Sequence, residues 1–75
     1  MEHYKCILPD CNVKRYQIDS KQITIQFNNN EVYQYTYTSA GKKHIETMKL
    51  LAQAGWGLDT YIDQVVKQGY ARQLV

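Results

Sequence analysis

Seventy-five residues with nine Lys or Arg against seven Asp or Glu carry a formal charge of only +2. That length allows one domain, and that charge lacks the clearly basic face expected of a dedicated nucleic-acid binder. Met-Glu-His-Tyr-Lys-Cys at the start holds no apolar run long enough for a secretory signal or a membrane span. With two cysteines in such a chain, the expected setting is reducing and cytoplasmic, with no membrane association.

Residues 1–12 carry no clear periodicity and are expected to be less ordered, with a turn at Pro9-Asp10. From Val13 to Ile18 the side chains alternate, placing Tyr16 and Ile18 on one face and Arg15 and Gln17 on the other. A turn at Asp19-Ser20-Lys21 leads into a second strand, Gln22–Phe27, whose Ile23, Ile25 and Phe27 share a face. A third strand, Val32–Tyr37, sets Tyr33, Tyr35 and Tyr37 against Val32, Gln34 and Thr36. Thr38 or Ser39 can cap a helix by accepting a backbone N–H. Ile45, Met48, Leu51 and Ala52 then recur at helical spacing, with Lys42, Glu46, Lys49 and Gln53 opposite. Gly55 and Gly57 stop that helix. Asp59 or Thr60 starts another, with Leu58, Tyr61, Ile62 and Val65 turned inward and Gly69 at its end; the tail through Leu74 and Val75 docks. The fold class is α+β: a small antiparallel three-stranded sheet followed by two helices packed on one face, in the order β-β-β-α-α.

Which way the tyrosines face depends on one residue of loop length. A two-residue turn at Asn29-Asn30 pairs Phe27 with Val32 and Ile25 with Gln34, exposing the rings as an aromatic platform. A three-residue loop, Asn28-Asn29-Asn30, pairs Ile25 with Tyr33 and Ile23 with Tyr35, and buries them. A one-residue slip exchanges the two faces. The longer loop is the expected one. It collects the large apolar groups on the face that must receive the helices, and leaves Thr24, Gln26, Gln34 and Thr36 as a polar face. Asn also tolerates the left-handed backbone that such a loop requires at its last position.

Ile23, Ile25 and Phe27, then Tyr33 and Tyr35, resemble the hairpin of the KTSC domain family, small bacterial and phage domains also found attached to lysyl-tRNA synthetases. Asn30 stands where that family has Gly. Gly55-Trp56-Gly57-Leu58-Asp59-Thr60-Tyr61-Ile62 is similar to the family's Gly-x-aromatic-Phe-Asn-x-x-Ile segment, and Tyr70 to Leu74 to its Tyr-rich tail. The similarity spans about residues 13–74. Gly57 replaces an aromatic, Asp63 stands in place of a common Arg, and the family's Val-Pro before the helix is absent. The resemblance implies a sheet followed by helical segments. The association with tRNA synthetases hints at RNA.

Among residues that carry chemistry, His3, Cys6 and Cys11 form an incomplete zinc set whose Cys-x4-Cys spacing lies at the edge of structural sites. A Cys6–Cys11 disulfide is the second alternative and free, partly buried thiols the expected state. Ser39 and His44 lack an acid to orient the imidazole, and Gly55-Trp56-Gly57 is a helix stop rather than a phosphate loop, so no catalysis and no cofactor are expected. Lys42 and Lys43 sit at a helix start, where backbone N–H groups favour anions. Trp56, between its glycines, is expected to plug the gap beneath the helices, with an exposed anchor as the alternative. The function expected is that of a small binding or interaction module, with a protein partner or self-association. An RNA- or DNA-binding accessory domain comes second and a zinc-stapled domain third. The candidate surface comprises Lys42, Lys43, Trp56, Arg15 and Asp59.

Overall fold

The computed structural model describes residues 1–5 and 11–75; the Pro9-Asp10 turn and Cys6 lie outside the described residues. Its centre is the expected hairpin. β2 (Val13–Asp19), β3 (Gln22–Phe27) and β4 (Val32–Thr36) form an antiparallel meander. Ile23 pairs with Tyr35 and Ile25 with Tyr33. The three-asparagine loop closes with the Phe27 N–H donating to the Glu31 carbonyl at 2.9 Å, and Asn30 takes φ 70°. In β2 a bulge between Val13 and Arg15 inserts Lys14, so that Val13, Tyr16 and Ile18 keep one face despite their uneven spacing.

The sheet has five strands rather than three, because both chain ends contribute short edges: β1 (Glu2–His3) on β2 and β5 (Arg72–Gln73) on β4. Neither two-residue strand has enough alternation to be read from sequence. The tail is held by backbone instead, with the Leu74 N–H donating to the Val32 carbonyl at 2.7 Å. Tyr70 locks it by packing against Tyr33 and Tyr35, with ring centroids 4.6 and 6.2 Å away. Leu74 and Val75 keep their side chains exposed, so the expected docking is of main chain and Tyr70. Under this tail Val32 is buried, although it belongs to the polar face. Thr24 is buried too, between cross-strand neighbours Gln17 and Gln34. That face is therefore polar but not uniformly solvated.

The helices cover the apolar face. Thr36, not Thr38, caps the four-residue α1 (Tyr37–Ala40), in a reciprocal box with Ser39. Gly41 separates it from α2 (Lys42–Ala54), which buries Ile45, Met48 and Ala52. On the wet side of α2, Glu46 accepts from Lys49 at 2.9 Å and from the Tyr37 hydroxyl at 2.6 Å. The Tyr37 hydrogen bond, then Lys49, hold the Glu46 carboxyl below the usual range. α3 (Leu58–Tyr61) runs into a π-helical turn, Ile62–Val66. That wider turn explains a correction: Val65, expected inside, is exposed, and Val66 is buried with Leu58 and Ile62. Widening the helix to i→i+5 bonding brings the fourth residue after Ile62 back to the core in place of the third. Lys67, at φ 54°, rather than Gly69, ends the turn. Cys11 is buried and disulfide-bonded, which corrects the free-thiol expectation.

Tyr35, 2 % exposed against 0 % for Ile23 and Ile25, is the centre of the packed layer. Tyr35→Ala should cost about 3 kcal/mol or more in denaturant melts. Asn30→Ala should cost about 1 kcal/mol and Asn30→Gly almost nothing. Equal costs for Ala and Gly would mean that the loop does not need the left-handed residue. A second expectation concerns pH. Burial pushes the phenols of Tyr35, Tyr4 and Tyr16 above the ordinary tyrosine range. A phenol whose pKa is raised by folding contributes its full share of stability below about pH 10, and loses it as pH rises through the folded value. Tm should thus fall between about pH 10 and 12, and Tyr35→Phe should lessen that fall; an unchanged Tm across that range would contradict it.

Candidate interaction surface

At the junction between α2 and α3 the chain leaves its largest aromatic exposed. Gly55 ends α2 at φ 84°, its N–H donating to the Leu51 carbonyl at 3.0 Å. Gly57 precedes α3 at φ 80°. Both conformations are costly for residues with a Cβ, and at Gly55 an added Cβ would also stand 2.8 Å from the Cβ of Lys5. Trp56 stands between these two left-handed residues, and it is 55 % exposed. Beneath the bend, the buried Tyr4 hydroxyl accepts the Leu58 N–H at 3.1 Å, which ties the N-terminal arm to the start of α3 and holds the turn from below.

Trp56 forms one wall of a cavity of about 320 Å³ between α2 and α3, with Leu51, Tyr61 and Val65 as its other large side chains and Thr60 and Gln64 on the rim. No charged group lines it. Leu50, 68 % exposed, points to solvent on the outer face of α2. At the inner end, the Tyr61 hydroxyl is 2.6 Å from His44 Nδ1, which fixes the ring that closes the groove.

The residues expected to form one surface do not come together. Trp56 is exposed rather than a core plug. Lys42 and Lys43 are exposed but stand at the other end of α2, roughly 18 Å along a thirteen-residue helix. Arg15 is on the opposite side of the sheet, beside His3 and Gln26, half-buried, with its Nε covered and without a hydrogen-bond partner among the described residues. Asp59 accepts the Asn12 N–H at 3.3 Å on the far side of α3. Ser39 is consumed by the capping box. Among the described residues no cluster of three His, Cys, Asp or Glu is placed to hold a metal, and Cys6 of the zinc set lies outside them. Val65 and the His44–Tyr61 pair were missed in sequence. No helix among the described residues is long and apolar enough to cross a membrane.

Comparison of the chain with known protein families, with curated proteins and with solved structures finds no match.

As the chain's single tryptophan, Trp56 is its own reporter. Its emission should be red-shifted in the folded domain, and Trp56→Ala should change stability by less than about 1 kcal/mol. A blue-shifted emission together with a loss near 3 kcal/mol, the range of buried aromatics, would place the indole in the core.

Proposed function

We propose that this domain is a small protein-interaction module that docks an apolar segment of a partner at the Trp56 groove. The observation that carries the reading is an exposed indole between two left-handed glycines beside an uncharged cavity. Leaving a large ring in water is unfavourable, and Trp56 is 55 % exposed. Trp56 and Val65, both on the wall of the groove, together expose on the order of 200 Å². That is well short of the ~800 Å² per partner that a stable dimer buries. A groove between two helices with apolar walls and a neutral rim suits the apolar face of one short amphipathic helix. The similarity to KTSC domains is compatible with such a module. Cytoplasmic residence is proposed with it, although a bonded Cys11 removes one ground for it. Lys42 and Lys43 would serve a nucleic acid, but they stand at the far end of α2 from Trp56, and Tyr35 of the sheet is buried.

Selection of twelve-residue peptides from a random display library against the wild-type domain, with the enriched peptides then measured on Trp56→Ala, tests the reading. Enriched peptides should carry Leu, Ile, Phe or Trp at i, i+3 and i+4, blue-shift Trp56 emission, and bind with little dependence on salt. Trp56→Ala should weaken them more than tenfold, the effect of losing a central aromatic anchor. Peptides that bind Trp56→Ala equally well would contradict the proposal. An affinity for single-stranded RNA that falls steeply with salt and with Lys42→Ala/Lys43→Ala would favour the nucleic-acid reading instead.

A further inference from the structure

α3 and the π turn separate two differently built surfaces. Thr60, Tyr61, Gln64 and Val65 face the Trp56 groove, whereas Asp59, Ile62, Asp63 and Lys67 face a second cavity of about 340 Å³ on the opposite side. Asn12 and Phe27 line this second cavity and also line a third, of about 500 Å³, beneath the hairpin loop. The two share Asn12 and Phe27 as a common wall and together make a two-part trough between the π turn and the hairpin loop.

We infer that this trough is a binding site for a neutral polyhydroxylated ring compound, a saccharide, independent of the Trp56 groove. Three observations converge on that class. First, the apolar part of the trough is a corner of two rings, Phe27 and Tyr33, packed edge to face at 5.6 Å. Such a corner offers flat apolar area to the C–H face of a pyranose. Second, its polar groups are mostly amides and carboxylates, with the Tyr33 hydroxyl and one lysine, Lys67. Amides both donate and accept, as sugar hydroxyls do, and carboxylates accept from them. Third, carboxylates stand at both ends of the trough, Glu31 at the loop and Asp59 and Asp63 at the π turn. Phosphate would meet like charge at either end, against a single lysine, Lys67.

The groups are also held in place. Asn28 donates its amide to the Cys11 carbonyl at 2.8 Å, which leaves its oxygen oriented as an acceptor. Glu31 accepts from Asn29, Tyr33 and Gln73, fixing the Tyr33 ring from its hydroxyl end. Side chains ordered before binding lose little further freedom when a ligand arrives. Asn12 and Asp63 have no side-chain hydrogen bond among the described residues, so they are available to hydroxyls. Each cavity is at the lower end of the range for small-molecule sites, which fits a ring in each half and an oligosaccharide across both.

The test is titration of the isotope-labelled domain with cellotetraose, maltohexaose and chitotetraose to about 10 mM each, followed by amide and aromatic resonances. At least one probe should bind with a Kd of millimolar order. Its shifts should centre on Asn12, Phe27, Asn28 and Tyr33, with the Trp56 indole unmoved. Asn12→Ala and Asp63→Ala, both surface changes that leave the fold intact, should each weaken it about three- to tenfold, as loss of one exposed hydrogen bond does. Uridine monophosphate should leave the trough resonances in place. No shift with any of the three saccharides, shifts centred on Trp56, or tighter binding of the nucleotide would each overturn the inference. None of those results bears on peptide binding at Trp56, so the two sites stand or fall separately.

Discussion

The register between β3 and β4 is the constraint on which the rest of the molecule depends. Asn30 accepts a left-handed backbone at φ 70°, the loop closes on three residues, and Ile23 and Ile25 come to lie opposite Tyr35 and Tyr33. With one residue fewer in that loop, the isoleucines and tyrosines would stand on opposite faces, and α2 would have no apolar layer to cover. Because the register holds, Tyr35 joins Ile45, Met48 and Leu58 in one core, and Tyr70 can return to clamp the tail against β4. Tyr35 is thereby spent on structure, and the binding surfaces, Tyr33 apart, are built from other residues.

Those residues are supplied by the junctions between elements. Glycine pairs, a π turn and an asparagine loop each break a regular period, and the exposed rings and cavities lie beside them. The Trp56 groove sits where two left-handed glycines join α2 to α3; the trough on the other side of α3 ends at the hairpin loop. The helix that divides them is only four residues long before it widens, and the widening is what leaves Val65 in the groove and Val66 in the core.

Much of the scaffold was legible because it follows simple periods. The alternation through β3 and β4 located both strands, and the requirement of a single apolar face selected the register. The spacing of Ile45, Met48 and Ala52 located α2, and Gly55 its end. What could not be read has physical causes. β1 and β5 are two residues long, too short for alternation, and exist only because β2 and β4 offer them backbone partners. Val65 was misplaced because an α-helical period was assumed where the chain is π-helical. Trp56 was assigned inward on its hydrophobicity. The five residues grouped as a candidate surface shared chemical character but not location; Lys42 and Trp56 lie at opposite ends of α2.

The most direct check of the account is the cross-strand pattern of α-proton contacts in the hairpin, measured by nuclear Overhauser spectroscopy. With Phe27 and Glu31 hydrogen-bonded across the loop, the close α-proton pairs of an antiparallel ladder fall at Gln26 with Val32 and at Thr24 with Gln34. Strong contacts at those two pairs are the expected result. Contacts of Ile25 with Gln34, or of Ile23 with Thr36, would show the shorter turn. They would put the tyrosines in solvent and contradict the core, the helix packing and the placement of both binding surfaces together.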